Sequence, residues 1–307
     1  MLDINRVVYA TDFSPCSENA FPIAVQMAAR HGAALHMLHA VVLHADDPHD
    51  PAHHFPEPDE LYERLRSTAE ERMASRAEDG GMPDAEVVQA QVRGIAPAPV
   101  ILEYAQELDA DLIVLGTHGR RGLRHLLLGS VAEEVVRLAD RPVLVVREDC
   151  AASGSFERIL VPLDYSKSSD SALAYAKQIG ATEGAELHLL HVLEVGAYPD
   201  FYFPVQAAQM FDMPELKRRA LDNLNDRLQR VEGPDVEAQV HVELGHPAQT
   251  IVDRAESLGA DLTVIASHGR TGLERALLGS VAAAVVRGSK SPVMIVKPFG
   301  KTLLPSG

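Results

Sequence analysis

The sequence predicts an α/β protein made of two tandem, doubly wound domains, each with a parallel sheet of about five strands. Two observations support this prediction. Short apolar runs alternate with segments of helical period along the whole chain, and the second half of the chain repeats the first. Strands that are apolar along their length are typical of parallel sheets covered by helices on both faces.

The repeat is clearest in strand and loop segments. RVVYATDFS, which begins at Arg6, returns as RILVPLDYS at Arg158, and AALHMLHAV returns as AELHLLHVL. Between residues 116–137 and 266–287, 14 of 22 positions are identical. The copies are offset by 152 residues at the aspartates (164 − 12) and by 150 at the glycines (279 − 129). Solenoid repeats run only about 20–50 residues, so this spacing indicates two whole domains.

We place the domains at residues 1–148 and 156–298, joined by the polar segment EDCAASGS. In the first copy the periodicity predicts strands at 7–10, 35–41, 86–92, 112–115 and 143–146, and helices at 17–30, 60–78, 97–108 and 130–138. Pro97 and Pro247 fall in the first turn of a helix, where a missing N–H costs nothing. Pro22 lies inside the first helix, which is expected to start late or to kink.

Composition excludes several function classes. The chain is 46% hydrophobic and 23% charged, which is typical of a globular protein, and its net charge is −16. A protein that binds nucleic acid needs a basic surface, and no basic stripe is visible. No apolar run reaches the roughly 20 residues that span a bilayer, and the N-terminus reads as a strand rather than a signal peptide. The two cysteines lack metal-type spacing, so we expect a cytoplasmic protein.

The segment GTHGRRGLRHLLLGSV, after the fourth strand, has the features of a phosphate site. Glycine at the end of a buried strand permits a sharp turn or the close approach of a ligand. Gly129 and Ser130 begin a helix, where unpaired N–H groups and the positive end of the dipole favour anions. Three arginines, at positions 120, 121 and 124, add positive charge. The alternative is that Gly129-Ser130 only caps the helix.

The spacing Gly-x-x-Gly, nine residues, then Gly-Ser resembles the nucleotide motif of the ATP-binding branch of the universal stress protein family. Gly116, Gly119, Gly129 and Ser130 match this motif without a gap. The Asp-Phe-Ser turn and the His-Ala or His-Val pair that ends the second strand are also similar. The resemblance spans nearly the whole chain, as a tandem member, and implies an adenine nucleotide α hydrolase-like, Rossmann-like sandwich.

The resemblance also implies the ligand, which is an adenine nucleotide: ATP, alone or with Mg²⁺ or Mn²⁺. The turn after the first strand would contact adenine and ribose, the end of the second strand would meet the adenine edge, and the glycine loop would line ribose and phosphates. In the first copy these residues are Ala10, Thr11, Asp12, Ala40, Gly116, His118, Gly119, Arg120, Gly129, Ser130 and Val131. In the second copy they are Pro162, Leu163, Asp164, Val192, Ala266, His268, Gly269, Arg270, Gly279, Ser280 and Val281.

The second copy departs from the motif at one position, because Ala266 replaces the first glycine. Its methyl group is expected either to crowd ribose or phosphate, or to be tolerated if φ stays negative. The second site is therefore the weaker of the two predictions.

Asp12 and Asp164 have two interpretations, a general base beside the nucleotide or an Asx-type turn residue after a strand. The sequence shows no second acid, Walker-type lysine or Ser-His-Asp arrangement beside them, so no catalytic residue is predicted. The resemblance favours a stress-response regulator whose nucleotide controls loop order and partner binding. A slow ATPase or phosphotransferase is the alternative, and a dimerising scaffold without nucleotide is a second one.

Two loops and one thiol have less specific interpretations. The loop at residues 44–60 contains four histidines and could bind a metal weakly, but its prolines favour a solvated loop. The corresponding loop at residues 196–213 is aromatic and Met-rich, which favours folding over a site or partner. Cys16 could sense oxidants, although a small buried thiol is the more common situation.

Partners are predicted from the last strand of each copy, at residues 143–146 and 293–296. Both strands are apolar, and exposed apolar edges aggregate. In the family this strand typically pairs with its counterpart in a neighbour. We therefore expect the two strands to pair across the halves as an intrachain pseudo-dimer, two chains to associate as a homodimer, and a protein partner that the sequence does not identify.

Overall fold

The computed structural model describes residues 1–42, 58–79, 86–117, 128–148, 150, 155–194, 213–269 and 278–305. Within 58–79, side chains are described for residues 62–76 only. Several predicted features lie outside the described residues: the histidine-rich loop before residue 58, nearly all of the aromatic loop, most of the linker, and the loop residues His118, Gly119, Arg120 and Arg270.

The first half of the chain alternates strands and helices. In chain order these are β1 (Arg6–Ala10), α1 (Pro15–His31), β2 (Ala34–Val42), α2 (Pro58–Asp79), β3 (Val87–Gly94), α3 (Pro97–Glu107), β4 (Leu112–Gly116), α4 (Ser130–Leu138) and β5 (Val143–Val146).

The second half repeats this order. Its elements are β6 (Arg158–Pro162), α5 (Lys167–Glu183), β7 (Glu186–Glu194), α6 (Met213–Arg230), β8 (Ala238–Gly245), α7 (Pro247–Leu258), β9 (Leu262–Ala266), α8 (Ser280–Gly288) and β10 (Val293–Val296).

Each half contains a parallel sheet, as predicted. The strand order is β3-β2-β1-β4-β5 in the first half and β8-β7-β6-β9-β10 in the second, with parallel pairing between neighbours. The order reverses between β1 and β4, and again between β6 and β9. In open α/β sheets, ligands bind at this switch point, beyond the carboxyl ends of the strands.

The chain forms two compact units, and each includes a short piece from the opposite end of the sequence. The N-terminal unit contains Asp3–Gly154 and also Lys301–Leu303. The C-terminal unit contains Ser155–Gly300 together with Met1–Leu2 and the residues after Leu303. In the N-terminal unit the side chain of Leu303 is fully buried, and its carbonyl accepts a hydrogen bond of 2.9 Å from the Asp3 N–H.

Helix α1 corrects one prediction. It begins at Pro15, two residues before the predicted start, because the Ser14 side chain caps it by accepting from the Ser17 N–H. The expectation of a late start was therefore wrong. Pro22 lies inside the helix on its exposed face. Gly32, in the left-handed region at φ +62°, ends the helix.

The core of each unit is built from the strands and the inner faces of the helices. In the N-terminal unit, Tyr9 on β1 is completely buried, and its hydroxyl donates to the Ser17 carbonyl at 2.8 Å. Burial raises the pKa of the Tyr9 phenol to about 12. This bond fixes the first turn of α1 over the end of β1. No helix in the part of the chain that the structure describes is long and apolar enough to cross a membrane.

Candidate functional site

The candidate site of the N-terminal unit lies at the carboxyl ends of β1 and β4. The Thr11 N–H donates to the Leu38 carbonyl at 2.9 Å, which extends the pairing of β1 with β2 by one residue. Beyond β4, Thr117 donates to the Val146 carbonyl at 2.9 Å and accepts from the Gly129 N–H at 2.8 Å. The structure thereby brings the end of β4, with Gly116, next to the start of α4, with Gly129.

The C-terminal unit repeats this arrangement. The Leu163 N–H donates to the Leu190 carbonyl at 2.8 Å. Ser267 donates to the Val296 carbonyl at 2.9 Å and accepts from the Gly279 N–H at 2.8 Å. The same backbone frame therefore surrounds both switch points, and only two of these five positions differ in residue type between the units, with Leu163 in place of Thr11 and Ser267 in place of Thr117.

Glycine occupies the N-cap of α4 and of α8. Gly129 has φ −60° and ψ 145°, Gly279 has φ −58° and ψ 143°, and neither cap has a side-chain hydrogen bond to the helix. Ser130 and Ser280, the first helical residues, are exposed. Since the first N–H groups of a helix have no intrahelical acceptor, each helix presents donors and the positive end of its dipole at the crevice. This geometry suits an anion such as phosphate.

The turn after the first strand is an Asx turn in both units. Asp12 Oδ1 accepts from the Ser14 N–H at 3.0 Å. Asp164 Oδ1 accepts from the Ser166 N–H at 3.0 Å and from the Ser166 hydroxyl at 2.6 Å. Of the two interpretations of these carboxylates, the structure favours the turn residue over the general base, because one oxygen of each is committed to holding the loop.

In the C-terminal unit the Asx turn meets the glycine loop. A Cβ added at Gly269 would lie 2.5 Å from Asp164 Oδ2, so the carboxylate packs against the glycine backbone. The neighbouring His268 is only 6% exposed, and its Nδ1 is 2.9 Å from the Ser267 hydroxyl. A ligand in this crevice would therefore meet the backbone of residue 268 rather than its imidazole ring.

The residues at the ends of the second strands, Ala40 and Val192, are half-buried. The preceding histidines bind the turn opposite. His39 Nδ1 is 2.8 Å from the Thr11 carbonyl and His191 Nδ1 is 2.7 Å from the Leu163 carbonyl. Because a carbonyl only accepts, each Nδ1 carries a hydrogen and donates it. These bonds hold the turn to the second strand.

Gly116 is glycine for a reason that the sequence did not reveal. A Cβ at this position would lie 2.8 Å from the Cys16 carbonyl carbon and 2.8 Å from the Ser17 nitrogen. No real Cβ lies that close to backbone, so the first turn of α1 excludes any side chain at Gly116. The approach of this helix therefore requires glycine here, and the prediction that Gly116 also lines the ligand stays a prediction.

The same observation changes the interpretation of Ala266. Ala266 pairs with Val296 as Gly116 pairs with Val146, so the two residues occupy equivalent positions in strand register. Its φ is not in the left-handed region, and the residue is buried. Alanine is therefore accommodated at this position without a left-handed backbone and in a buried environment.

Sequence reasoning missed one feature of the site, a backbone distortion next to each Asx turn. Phe13 has φ +59° and Tyr165 has φ +66°, in the left-handed region that bulky residues rarely occupy. The two residues occupy equivalent positions, 152 residues apart (165 − 13). The only signal in the sequence is that an aromatic residue recurs between the aspartate and the serine.

Metal ligands were not predicted at the site. Within the described ranges, no group of three or more His, Cys, Asp or Glu side chains could hold a metal ion. The arginines of the glycine loop, at residues 120, 121, 124 and 270, fall in the stretches that the structure does not describe.

Comparison with known proteins identifies the family. A sequence model described as the universal stress protein family matches twice, at residues 3–147 and 155–297. The chain belongs to the universal stress protein family. The two matches confirm the predicted tandem organisation, and the parallel α/β sheets confirm the predicted fold class.

Individual relatives agree with this assignment. The chain is similar to a universal stress protein of Mycolicibacterium smegmatis, at 33% identity over 215 residues, which covers 69% of each chain. A universal stress protein of Mycobacterium tuberculosis is 27% identical over 313 residues, which covers 95% of this chain and 94% of the relative. The crystal structure of a universal stress protein from Archaeoglobus fulgidus superimposes with a TM-score of 0.68 at 26% identity, covering 95% of this chain and 98% of that one.

Proposed function

We propose that this universal stress protein binds two molecules of ATP, one in each of the domains at residues 1–148 and 156–298. The observation that carries the proposal is the duplicated crevice. In each unit a glycine-capped helix start is hydrogen-bonded to the end of the fourth strand. It lies on the same sheet edge as an Asx turn held by the second strand.

Each part of the crevice has a chemical task in this proposal. The first-turn amides at Ser130-Val131, and at Ser280-Val281, would donate to phosphate oxygens. The small or half-buried residues at the ends of β1 and β2, such as Ala10 and Ala40, leave room for the flat adenine ring. Asp12 and Asp164 would keep one carboxylate oxygen in the turn while the turn contacts ribose.

We extend the proposal to the second site in spite of Ala266. The position is occupied by glycine in the first unit because α1 approaches it, and Ala266 occupies the equivalent register position in the second unit. The remaining motif residues, Gly269, Gly279 and Ser280, are retained.

A measurement of bound nucleotide tests the proposal. Protein purified without added nucleotide is denatured, and the released adenine nucleotide is counted per chain. Equilibrium dialysis against ATP with Mg²⁺ then gives the stoichiometry, for which we expect two. One nucleotide per chain would remove one site, and none by either method would refute the proposal.

Matched variants assign each site. Gly129→Asp should abolish binding in the N-terminal unit, because a carboxylate at the N-cap repels phosphate while still capping the helix. Gly129→Asn has the same shape without the charge and is the control. Gly279→Asp and Gly279→Asn form the corresponding pair in the C-terminal unit. If the aspartate variants bind as the asparagine variants do, the phosphate position is wrong.

We also propose the cellular setting and assembly. The protein would act in the cytoplasm as a stress-response regulator, with nucleotide occupancy controlling which partner it binds. β5 and β10, each a run of four apolar residues at the end of its strand order, would pair with each other as an intrachain pseudo-dimer. Two chains would then associate as a homodimer. Slow amide exchange along both strands would agree with the pairing and fast exchange would refute it, while a dimer mass by light scattering would agree with the homodimer and a monomer mass would refute it.

A further inference from the structure

The left-handed backbone at Phe13 and Tyr165, next to Asp12 and Asp164, needs a structural explanation. A bulky residue in the left-handed region costs on the order of 1–3 kcal/mol, and it persists only where the surroundings fix it. Tyr165 directly follows Asp164 and directly precedes Ser166, the N-cap of α5. Whatever fixes Tyr165 therefore also sets the position of Asp164 at the crevice.

Strand β7 fixes one side of this turn. The Tyr165 ring stacks on the His191 ring with centroids 4.0 Å apart and an interplanar angle of 20°. The same imidazole donates through Nδ1 to the Leu163 carbonyl at 2.7 Å. One histidine thus holds the residues on both sides of Asp164.

Helix α6 fixes the other side. Arg227 donates through one guanidinium nitrogen to the Tyr165 carbonyl at 2.7 Å, and its Cζ lies 5.1 Å from the centre of the Tyr165 ring. Arg227 also forms an ion pair with Asp170 of α5, and its side chain is only 15% exposed. The Tyr165 hydroxyl donates to the Ala220 carbonyl, also on α6, at 3.1 Å.

The N-terminal unit has a reduced version of this arrangement. Phe13 and His39 are 4.8 Å apart at an interplanar angle of 37°, and Arg72 of α2 lies 5.5 Å from the centre of the Phe13 ring. Phenylalanine has no hydroxyl to donate. The aromatic residue of the N-terminal turn therefore lacks the second bond to the helix that Tyr165 makes.

From these contacts we infer that Arg227 is a positioning residue for nucleotide at the C-terminal site. A planar guanidinium makes two directed contacts at once, to the Tyr165 carbonyl and to Asp170, which an ammonium group does not reproduce. Through them Arg227 links α6 to the Asp164 turn, so that occupancy of this site depends on the docking of α6. The inference rests on the proposed function for its ligand and on the geometry for its mechanism.

Binding measurements test the inference at one site at a time. In a Gly129→Asp background, where only the C-terminal site remains, Arg227→Gln should weaken ATP binding about tenfold or more. Arg227→Lys should recover part of the loss. In a Gly279→Asp background the same substitution should leave the N-terminal site unchanged, which distinguishes positioning from general destabilisation. Arg227→Gln with unchanged affinity in the first background would overturn the inference.

The matched control is Arg218→Gln. Arg218 is an exposed arginine on the same helix, and it forms ion pairs with Glu215 and Asp222 rather than with the turn. Removing its charge should leave ATP affinity within about twofold at both sites, because surface pairs contribute little. An equal loss in the Arg218 and Arg227 variants would show that only helix charge matters and would overturn the inference.

Amide exchange without nucleotide separates this inference from the proposed function. Arg227→Gln should speed exchange of the Ser166 and Ser169 amides, which the turn protects, and Arg218→Gln should not. If the wild-type protein binds no ATP, the proposed function fails, while faster exchange in the Arg227 variant still supports the positioning role. Unchanged exchange at these amides would overturn the inference whatever the nucleotide result.

Discussion

The two units share one backbone design but support it with different side chains. In the C-terminal unit the Asx turn at Asp164 is held by hydrogen bonds and charge, through Tyr165 and Arg227. In the N-terminal unit the ring of the equivalent residue, Phe13, contacts His39 and Arg72, and its N–H donates to the Thr11 hydroxyl at 3.0 Å. The left-handed φ is nevertheless the same within 7° (66 − 59). The left-handed geometry of the turn is therefore common to both units, whereas the contacts that its aromatic residue makes differ.

The histidines of the second strands show the same divergence. His36 Nδ1 is 2.9 Å from the Tyr104 hydroxyl in the N-terminal unit. Its counterpart His188 stacks on His241, with 3.1 Å between His188 Nδ1 and His241 Nε2. Arg254 donates to His241 Nδ1 at 2.7 Å, so Nε2 of His241 carries the hydrogen and donates it to His188. The N-terminal unit therefore has a histidine–tyrosine contact at this place. In the C-terminal unit Arg254 donates to His241, and His241 donates to His188.

The largest expected effect is a difference in stability between the two units, caused by substitutions at the end of the fourth strand. Gly116→Ala should destabilise the N-terminal unit by about 3 kcal/mol, because the new Cβ meets helix backbone that cannot move aside. The reverse change, Ala266→Gly, should cost only about 0.5–1 kcal/mol. Amide exchange of β1 and of β6 reports the two units separately. Equal effects would mean that Gly116 is not required by helix packing.

A second difference lies between α1 and α5. Lys177 is 4% exposed, and its ammonium group donates to the Leu228 and Val231 carbonyls at the end of α6; the equivalent residue of α1 is Val25. Lys177→Met should destabilise the C-terminal unit by about 1–2 kcal/mol, because two carbonyls lose their donor. Denaturant titration measures this, with the exposed Lys217→Met as control. A loss of equal size in the control would contradict the explanation.

The histidine pair predicts a smaller, pH-dependent difference. Burial, followed by the charge of Arg254 and the neighbouring His188, lowers the pKa of His241 from 6.5 to about 4. Burial also lowers the pKa of His188, although Glu186 opposes the shift. Between about pH 6.5 and 4 the unfolded chain therefore binds more protons, and the free energy of unfolding falls as the pH falls through this window.

Substitution of His241 isolates this effect. Besides Arg254 and Glu186, the charged groups near the pair are Glu243, which pairs with Arg254, and Arg158. His241→Gln should flatten the pH dependence of the C-terminal unit between pH 6.5 and 4. His246→Gln, a change at an exposed histidine at the start of α7, is the control. An unchanged slope in the His241 variant would show that the pair does not titrate as described.

The smallest expected effect concerns Lys301, which lies in the short segment Lys301–Leu303 that belongs to the N-terminal unit. The Lys301 ammonium lies 2.7 Å from a carboxylate oxygen of Asp111, which is buried and also accepts from the Asn5 and Arg6 N–H groups. Lys301→Met should destabilise this unit by less than about 1 kcal/mol, because the lysine is partly exposed. High salt should reduce the difference from wild type. If salt does not change the difference, the aliphatic part of the Lys301 side chain, rather than its charge, stabilises the unit.

Much of the fold followed from patterns that are local in the sequence. Apolar runs such as residues 112–115 and 143–146 became buried strands, and Pro97 began α3 as predicted. The predicted start of α1 was wrong because hydrophobic periodicity does not identify Ser14 as the N-cap. Capping depends on one side-chain hydrogen bond, which periodicity does not report.

The candidate site was predictable in outline because its parts are short motifs at fixed places relative to strands. Motif spacing and turn chemistry point to Gly129, Gly279 and the Asp12 and Asp164 turns without any knowledge of tertiary contacts. The stacking of His191 on Tyr165 could not be predicted in this way, since these residues are 26 positions apart (191 − 165) and meet only through the pairing of β6 with β7.

The sequence by itself determined the duplication and the order of strands and helices, because these depend on periodicity and on backbone chemistry near one position. Only the tertiary structure decided why Gly116 is glycine while Ala266 need not be. It also showed that Arg227 contacts the Asp164 turn from another helix. Both depend on contacts between segments distant in sequence, where a difference of about one ångström decides whether a side chain fits.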